Sequence, residues 1–148
     1  MSANAHDIKV LNGLIEALID CADGYAEAAR DAIEPRHSQW LDRRASQHLQ
    51  LAETLKAAVR DRGGSPEDNG SILAKAQRAF SGFKQALLGN QDNIYTLTHS
   101  AEAQVRERFE KAVADTALSA TTRDIVRRGL EHPPLSDSQL GDLGDPQA

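Results

Sequence analysis

Asp7-Ile8-Lys9-Val10-Leu11-Asn12-Gly13-Leu14-Ile15-Glu16-Ala17-Leu18-Ile19-Asp20-Cys21-Ala22-Asp23-Gly24-Tyr25-Ala26-Glu27-Ala28-Ala29 is the stretch whose reading decides the fold. Ile8, Leu11, Ile15, Leu18, Ala22, Tyr25 and Ala29 recur at alternating spacings of three and four, which places them on one face of a helix. Leu14, Ile19, Ala26 and Ile33 widen that face into the broad apolar stripe of a helix packed in a bundle. The acids Glu16, Asp20, Asp23 and Glu27 also keep helical spacing, but on the outward side, where water solvates them. A bundle whose first helix turns no carboxylate inward lacks one wall of a central carboxylate metal site.

Chain breakers divide the remainder. The first helix is expected from about Asp7 to Ile33 and ends at Glu34-Pro35, because the residue before a proline avoids helical geometry. Pro35 suits the first turn of a second helix, whose seam is Leu41, Ala45, His48, Ala52, Leu55 and Val59. Arg62-Gly63-Gly64-Ser65-Pro66 stops it. A third helix, capped by Ser71, presents Leu73, Ala76, Phe80, Phe83 and Leu87 and closes at Gly89-Asn90. A fourth begins near Asp92, with Tyr95, Thr98, Glu102, Val105, Phe109 and Ala112 on its seam. Ser119 caps a short fifth helix through Ile125, Val126 and Leu130, and Pro133-Pro134 forbids its continuation. No segment alternates with period two, so the fold class is all-α: an up-down helical bundle of four to five helices over residues 1–132. Residues 133–148, with Asp137, Asp142 and Asp145 and no base, are expected to form a flexible acidic tail.

Composition excludes several function classes. The chain has 148 residues, enough for one domain with its own core, and a net charge of −5, which argues against nucleic-acid binding because phosphate contacts need a basic surface. Its single cysteine, Cys21, rules out an internal disulfide and suits a reducing compartment. No window approaches the roughly 18 apolar residues of a membrane span, and the start has no basic, apolar leader. The expectation is a cytoplasmic protein that meets neither membrane nor nucleic acid.

Four runs carry a resemblance to known proteins: Leu11-Asn12-Gly13-Leu14-Ile15-Glu16, Asp23-Gly24-Tyr25-Ala26-Glu27-Ala28-Ala29, Val59 through Ser71, and Phe109-Glu110-Lys111-Ala112. From about Asp7 to Arg128 the chain resembles a family of bacterial ferritin-like four-helix-bundle proteins of unassigned function. That resemblance implies a ferritin-like bundle built from the first, second, fourth and fifth helices, with the third as a crossover. It implies no activity.

The ferritin-like fold raises di-iron chemistry, which takes a Glu from each of two helices and Glu-x-x-His from each of the other two. No Glu-x-x-His occurs here; Ala45 stands three residues before His48 and Thr96 three before His99. The reversed order His99-Ser100-Ala101-Glu102 does put an imidazole and a carboxylate one turn apart. His48, His99 and Glu102, with Glu53 nearby, are the candidate ligands for iron or another divalent metal in a metal-binding or ferroxidase-like protein. The competing reading makes His48 a polar core residue satisfied by Glu102 or Tyr25. His6, His37 and His132 are expected to face solvent.

Other catalytic patterns fail. No Gly-x-Ser-x-Gly elbow follows a strand, and Gly63-Gly64 lacks the length and the lysine of a phosphate loop. Cys21, at a flanking position of the first helix, reads as a packed thiol. Trp40 lies off the second helix's seam beside Arg43 and Arg44, which is the composition of an interface anchor; alternatively, it folds over the open end of the bundle. Leu140-Gly141-Asp142-Leu143-Gly144 in the tail is similar to C-terminal peptides that dock cargo into protein shells, but without their basic end. The sequence therefore leads to a non-enzymatic, homodimeric interaction or stress-associated protein with a degenerate metal site, no cofactor and an unknown protein partner.

Overall fold

The computed structural model describes residues 2–31, 35–67 and 93–131; the expected third helix, His132 and the acidic tail lie outside the described residues. Four helices follow one another: α1 (Ser2–Asp31), α2 (Pro35–Asp61), α3 (Asn93–Ala114) and α4 (Ala120–Glu131). α3 and α4 are the fourth and fifth helices expected from the sequence. Among the described residues there is no strand, so the all-α bundle stands. None of these helices is long and apolar enough to cross a membrane.

The first seam folds as its spacing requires. Leu11, Ile15, Leu18, Ala22, Tyr25 and Ala29 are all buried, and on α2 so are Leu41, Ala45, His48, Ala52, Leu55 and Val59. Val105, Phe109 and Ala112 of α3, Leu118 of the turn after it and Val126 of α4 join the core. α1 begins at Ser2 rather than near Asp7. No breaker stands in that first turn, and His6 anchors it by pairing with Asp115 at 2.7 Å.

Helix directions can be read from the cross-contacts. Asn12 near the start of α1 bonds to the Ser65 carbonyl and the Glu67 amide just past the end of α2, while Ser38 at the start of α2 bonds to the Ala29 carbonyl. The two helices are therefore antiparallel. His6 meets Asp115 at the far end of α3, which makes α3 antiparallel to α1 and hence parallel to α2. α4 turns back along α3, and Gly129 brings its backbone so close to Phe109 that a β-carbon there would lie 3.1 Å from the ring. The end of α2 and the start of α3 thus lie at opposite ends of the bundle.

Two devices fix the bundle's lower end. α2 ends in a Schellman motif: Gly63, at φ 82°, donates to the Arg60 carbonyl, and Gly64 donates to that of Val59. α4 is capped by Ser119, whose hydroxyl accepts from the Thr122 amide. That cap is itself held by buried Asp7 of α1, which accepts from the Ser119 amide at 3.1 Å, the Ser119 hydroxyl at 2.5 Å and the Thr122 hydroxyl at 2.8 Å. Arg62 adds a bond to the Thr122 hydroxyl at 2.7 Å and its charge 3.9 Å from Asp7. Burial pushes the Asp7 carboxyl upward, but these hydrogen bonds and the Arg62 charge outweigh it and hold it below its ordinary 3.8.

Candidate buried ionic centre

At the level of His48 the apolar seam gives way to charge. His48 enters from α2 and Glu102 from α3, and both are fully buried, with Nε2 and Oε2 3.2 Å apart. The other carboxylate oxygen, Oε1, lies 3.2 Å from Nε of Arg44, a guanidinium only 2 % exposed. One carboxylate is therefore shared by two cations.

Helical spacing assembles this group. Arg44 precedes His48 by one turn, so the same turn that aligns the side chains lets His48 Nδ1 donate to the Arg44 carbonyl at 2.7 Å. A carbonyl can only accept, so Nδ1 carries the proton and Nε2 is the nitrogen aimed at Glu102. Arg44 is also braced by Gln47, which accepts from Nη1 at 3.0 Å, and by Trp40, whose ring centroid lies 5.3 Å from the guanidinium carbon. From α1, Tyr25 packs edge-on against the His48 ring with centroids 5.4 Å apart. Cys21, one turn earlier on the same face, is buried and lies within electrostatic reach of both.

The electrostatics follow from burial and neighbours. Burial opposes an imidazolium at His48, but the Cys21 sulfur and the Glu102 carboxylate outweigh it and raise its pKa to about 10. The carboxylate beside it favours the charged form of the ring. Burial, with Cys21 and Glu102 beside it, pushes the Tyr25 hydroxyl well above 10.0. The centre therefore combines Arg44 and His48 as cations with Glu102 as a carboxylate. Both 3.2 Å approaches are close Coulombic contacts between buried groups. Arg44 Nε and Nη2, His48 Nε2 and both Glu102 oxygens are buried without a hydrogen-bond partner among the described residues.

Of the three candidate metal ligands, the structure joins His48 to Glu102 and puts His99 on the exposed side of α3. The buried face of α3 runs through Glu102, Val105, Phe109 and Ala112, and His99 falls on its flank, on the side of Glu102 away from Val105. Glu53 is also exposed, paired with Lys56 at 3.1 Å. Among the described residues no three His, Cys, Asp or Glu side chains group to hold a metal ion. Nor do the residues of the centre fit one. A metal ion at Glu102 would meet the Arg44 guanidinium, a permanent cation 3.2 Å from the carboxylate.

Three further expectations need correction. Trp40 and Arg44 do not project into solvent: Trp40 is 7 % exposed and Arg44 1 %, leaving Arg43 as the exposed member of that trio. The indole covers the guanidinium, which leaves it no outward surface to offer as an anchor. His37 is buried rather than solvent-facing. The acids of α1 are not uniformly outward: Asp23 and Glu27 are exposed, whereas Glu16 and Asp20 are half-buried. Burial, with Asp23 and Glu16 nearby, raises the Asp20 carboxyl against the opposing charge of Arg108 on α3.

Arg44, expected at an interface, and Cys21, expected only as a packed thiol, are the residues whose place beside the centre the sequence reading did not give. Each stands four residues before a residue of the seam, His48 and Tyr25 respectively, and that spacing is the signal that places both beside the centre.

An all-α bundle closed around a buried ionic centre is the class that this geometry defines. Residues 6–115 match the family described as Domain of unknown function (DUF2383), and the chain belongs to that family. No curated protein and no solved structure matches it.

Proposed function

We propose that this protein is a ferritin-like bundle whose metal centre is replaced by an internal ion cluster, and that it serves as a non-enzymatic interaction or stress-associated protein. The observation that carries the reading is the seat of Arg44: its guanidinium lies 3.2 Å from the carboxylate that His48 also approaches. A metal in such a bundle neutralises inward carboxylates and ties helices together. Here Arg44 and His48 do both from within the chain, linking α2 to α3 through Glu102. The antiparallel α1–α2 pair, with α3 parallel to α2, supports the ferritin-like part of the reading, because that order needs a long connection between the second and third bundle helices.

Metal content after incubation tests the proposal. The protein is held aerobically with ferrous iron, zinc and manganese, desalted, and analysed by inductively coupled plasma mass spectrometry. The expected result is well below one ion per chain. Near-stoichiometric metal that disappears in His48→Ala and Glu102→Ala would replace this reading by the metal-binding, ferroxidase-like one. Cytoplasmic location and homodimerisation belong to the same proposal; light scattering should give twice the 16.1 kDa chain mass, and the mass of a single chain would remove the dimer.

A further inference from the structure

Helical spacing separates the flanks of α1 and α2 that meet α3 and α4 from those that turn away. On α1, His6 pairs with Asp115 at the end of α3 and Asp20 feels the charge of Arg108, so α3 approaches from their side. Ile8, Ile19 and Ala26 form a stripe on the other flank of that helix. On α2, the Leu51 side chain lies beside Gly129 and Arg62 bonds to Thr122, so α4 approaches from there. Ala45, Leu49, Ala52 and Lys56 form the stripe on its other flank. Both stripes border the α1–α2 seam on the side away from α3 and α4, and together they make one surface.

The chain itself leads onto that surface. Immediately past α2, Gly64 abuts Ile8, and Asn12 bonds to the Ser65 carbonyl and the Glu67 amide, so the backbone crosses α1 on the flank of its stripe. α3 runs antiparallel to α1 from Asn93 towards the Asp115 that meets His6, which sets Asn93 beside the far end of α1. The chain between Glu67 and Asn93 therefore has to travel from the level of Asn12 to the end of α1. A helix over residues 71–89, the third expected from the sequence, spans about 28 Å, the length of α1 from Asn12 to Arg30. Its seam of Leu73, Ala76, Phe80, Phe83 and Leu87 is apolar, and Lys75, Arg78 and Lys84 are its only charges. The surface is complementary: Glu16 and Asp23 border it on α1, and Asp42 and Glu53 on α2, against Arg30 and Lys56. Ile19 is only 7 % exposed although α3 approaches from the other flank, so this side of α1 is covered as well. We infer that the surface lined by Ile8, Ile19 and Ala26 of α1 and Ala45, Leu49 and Ala52 of α2 is the docking face for residues 71–89 of the same chain. The inference goes beyond the reading of the ionic centre, none of whose residues lines this face.

Nuclear Overhauser contacts in the intact protein test it, with the methyl groups of isoleucine and leucine and the rings of phenylalanine labelled. The expected result is a set of cross-peaks from the Phe80 or Phe83 ring to the methyls of Ile8, Ile19 or Leu49. They should vanish in an isotope-filtered spectrum of mixed labelled and unlabelled chains, which passes only contacts between molecules. Cross-peaks that persist in the filtered spectrum would mean that a second copy supplies the stretch, and would overturn the same-chain docking. Rings of Phe80 and Phe83 that contact none of the three residues would overturn the docking face altogether. Neither result bears on metal content, so the failure of this inference and that of the proposed function are read separately.

Discussion

Glu102 is the buried carboxylate that Arg44 and His48 share, so losing its charge leaves both of them buried and uncompensated. Breaking a buried ionic group by removing one partner costs about 3–5 kcal/mol, and Glu102→Gln should lose about that much in urea denaturation at pH 7. A loss of under about 1 kcal/mol would mean that the contacts contribute little. Asp7 offers a second case. Its carboxyl is held below the ordinary value in the folded chain, so its contribution is complete above that value and is lost as pH falls through the folded one. Asp7→Ala should therefore cost about 1–3 kcal/mol at pH 7, and the gap to wild type should close in acid; a gap that stays constant with pH would contradict the linkage. Glu102 and His48 were legible because each sits on an apolar seam. Arg44 was not: its neighbour Trp40 suggests a surface patch, and only packing reveals that the indole lies over the guanidinium.

The ends of the helices carry the next level of the account. Gly64 has no room for a side chain, since a β-carbon there would fall 2.9 Å from two atoms of Ile8. Gly64→Ala should force Ile8 aside at about 1–3 kcal/mol, measured by thermal or urea unfolding, whereas a neutral change would show that Ile8 moves freely. The double glycine was readable as a stop, and Ser119 as a cap, because both use local chemistry. The clamp from Asp7 onto that cap was not readable. Its partners lie 112 and 115 residues away, and no spacing in the sequence connects them.

Across the whole molecule, the same clamp makes α4 an integral part of the bundle, although the family match ends at residue 115. A chain cut after Asp115 loses the partners of Asp7 and the backbone at Gly129 that covers Phe109. It should unfold at lower urea with a shallower transition, and an unchanged transition would show α4 to be dispensable. The bundle class was legible from seams and breakers, whereas the sharing of one carboxylate by two cations depends on how α2 and α3 face each other. That sharing is the central claim, and the titration of His48 tests it most directly. With its folded pKa raised, the ring's contribution to stability is complete below the ordinary 6.5 and is lost as pH rises through about 10. Nuclear magnetic resonance of the His48 ring should find it protonated throughout the neutral range, releasing its proton only near pH 10. Release near 6.5 would contradict the account, because a neutral His48 beside Glu102 would be free to ligate a metal.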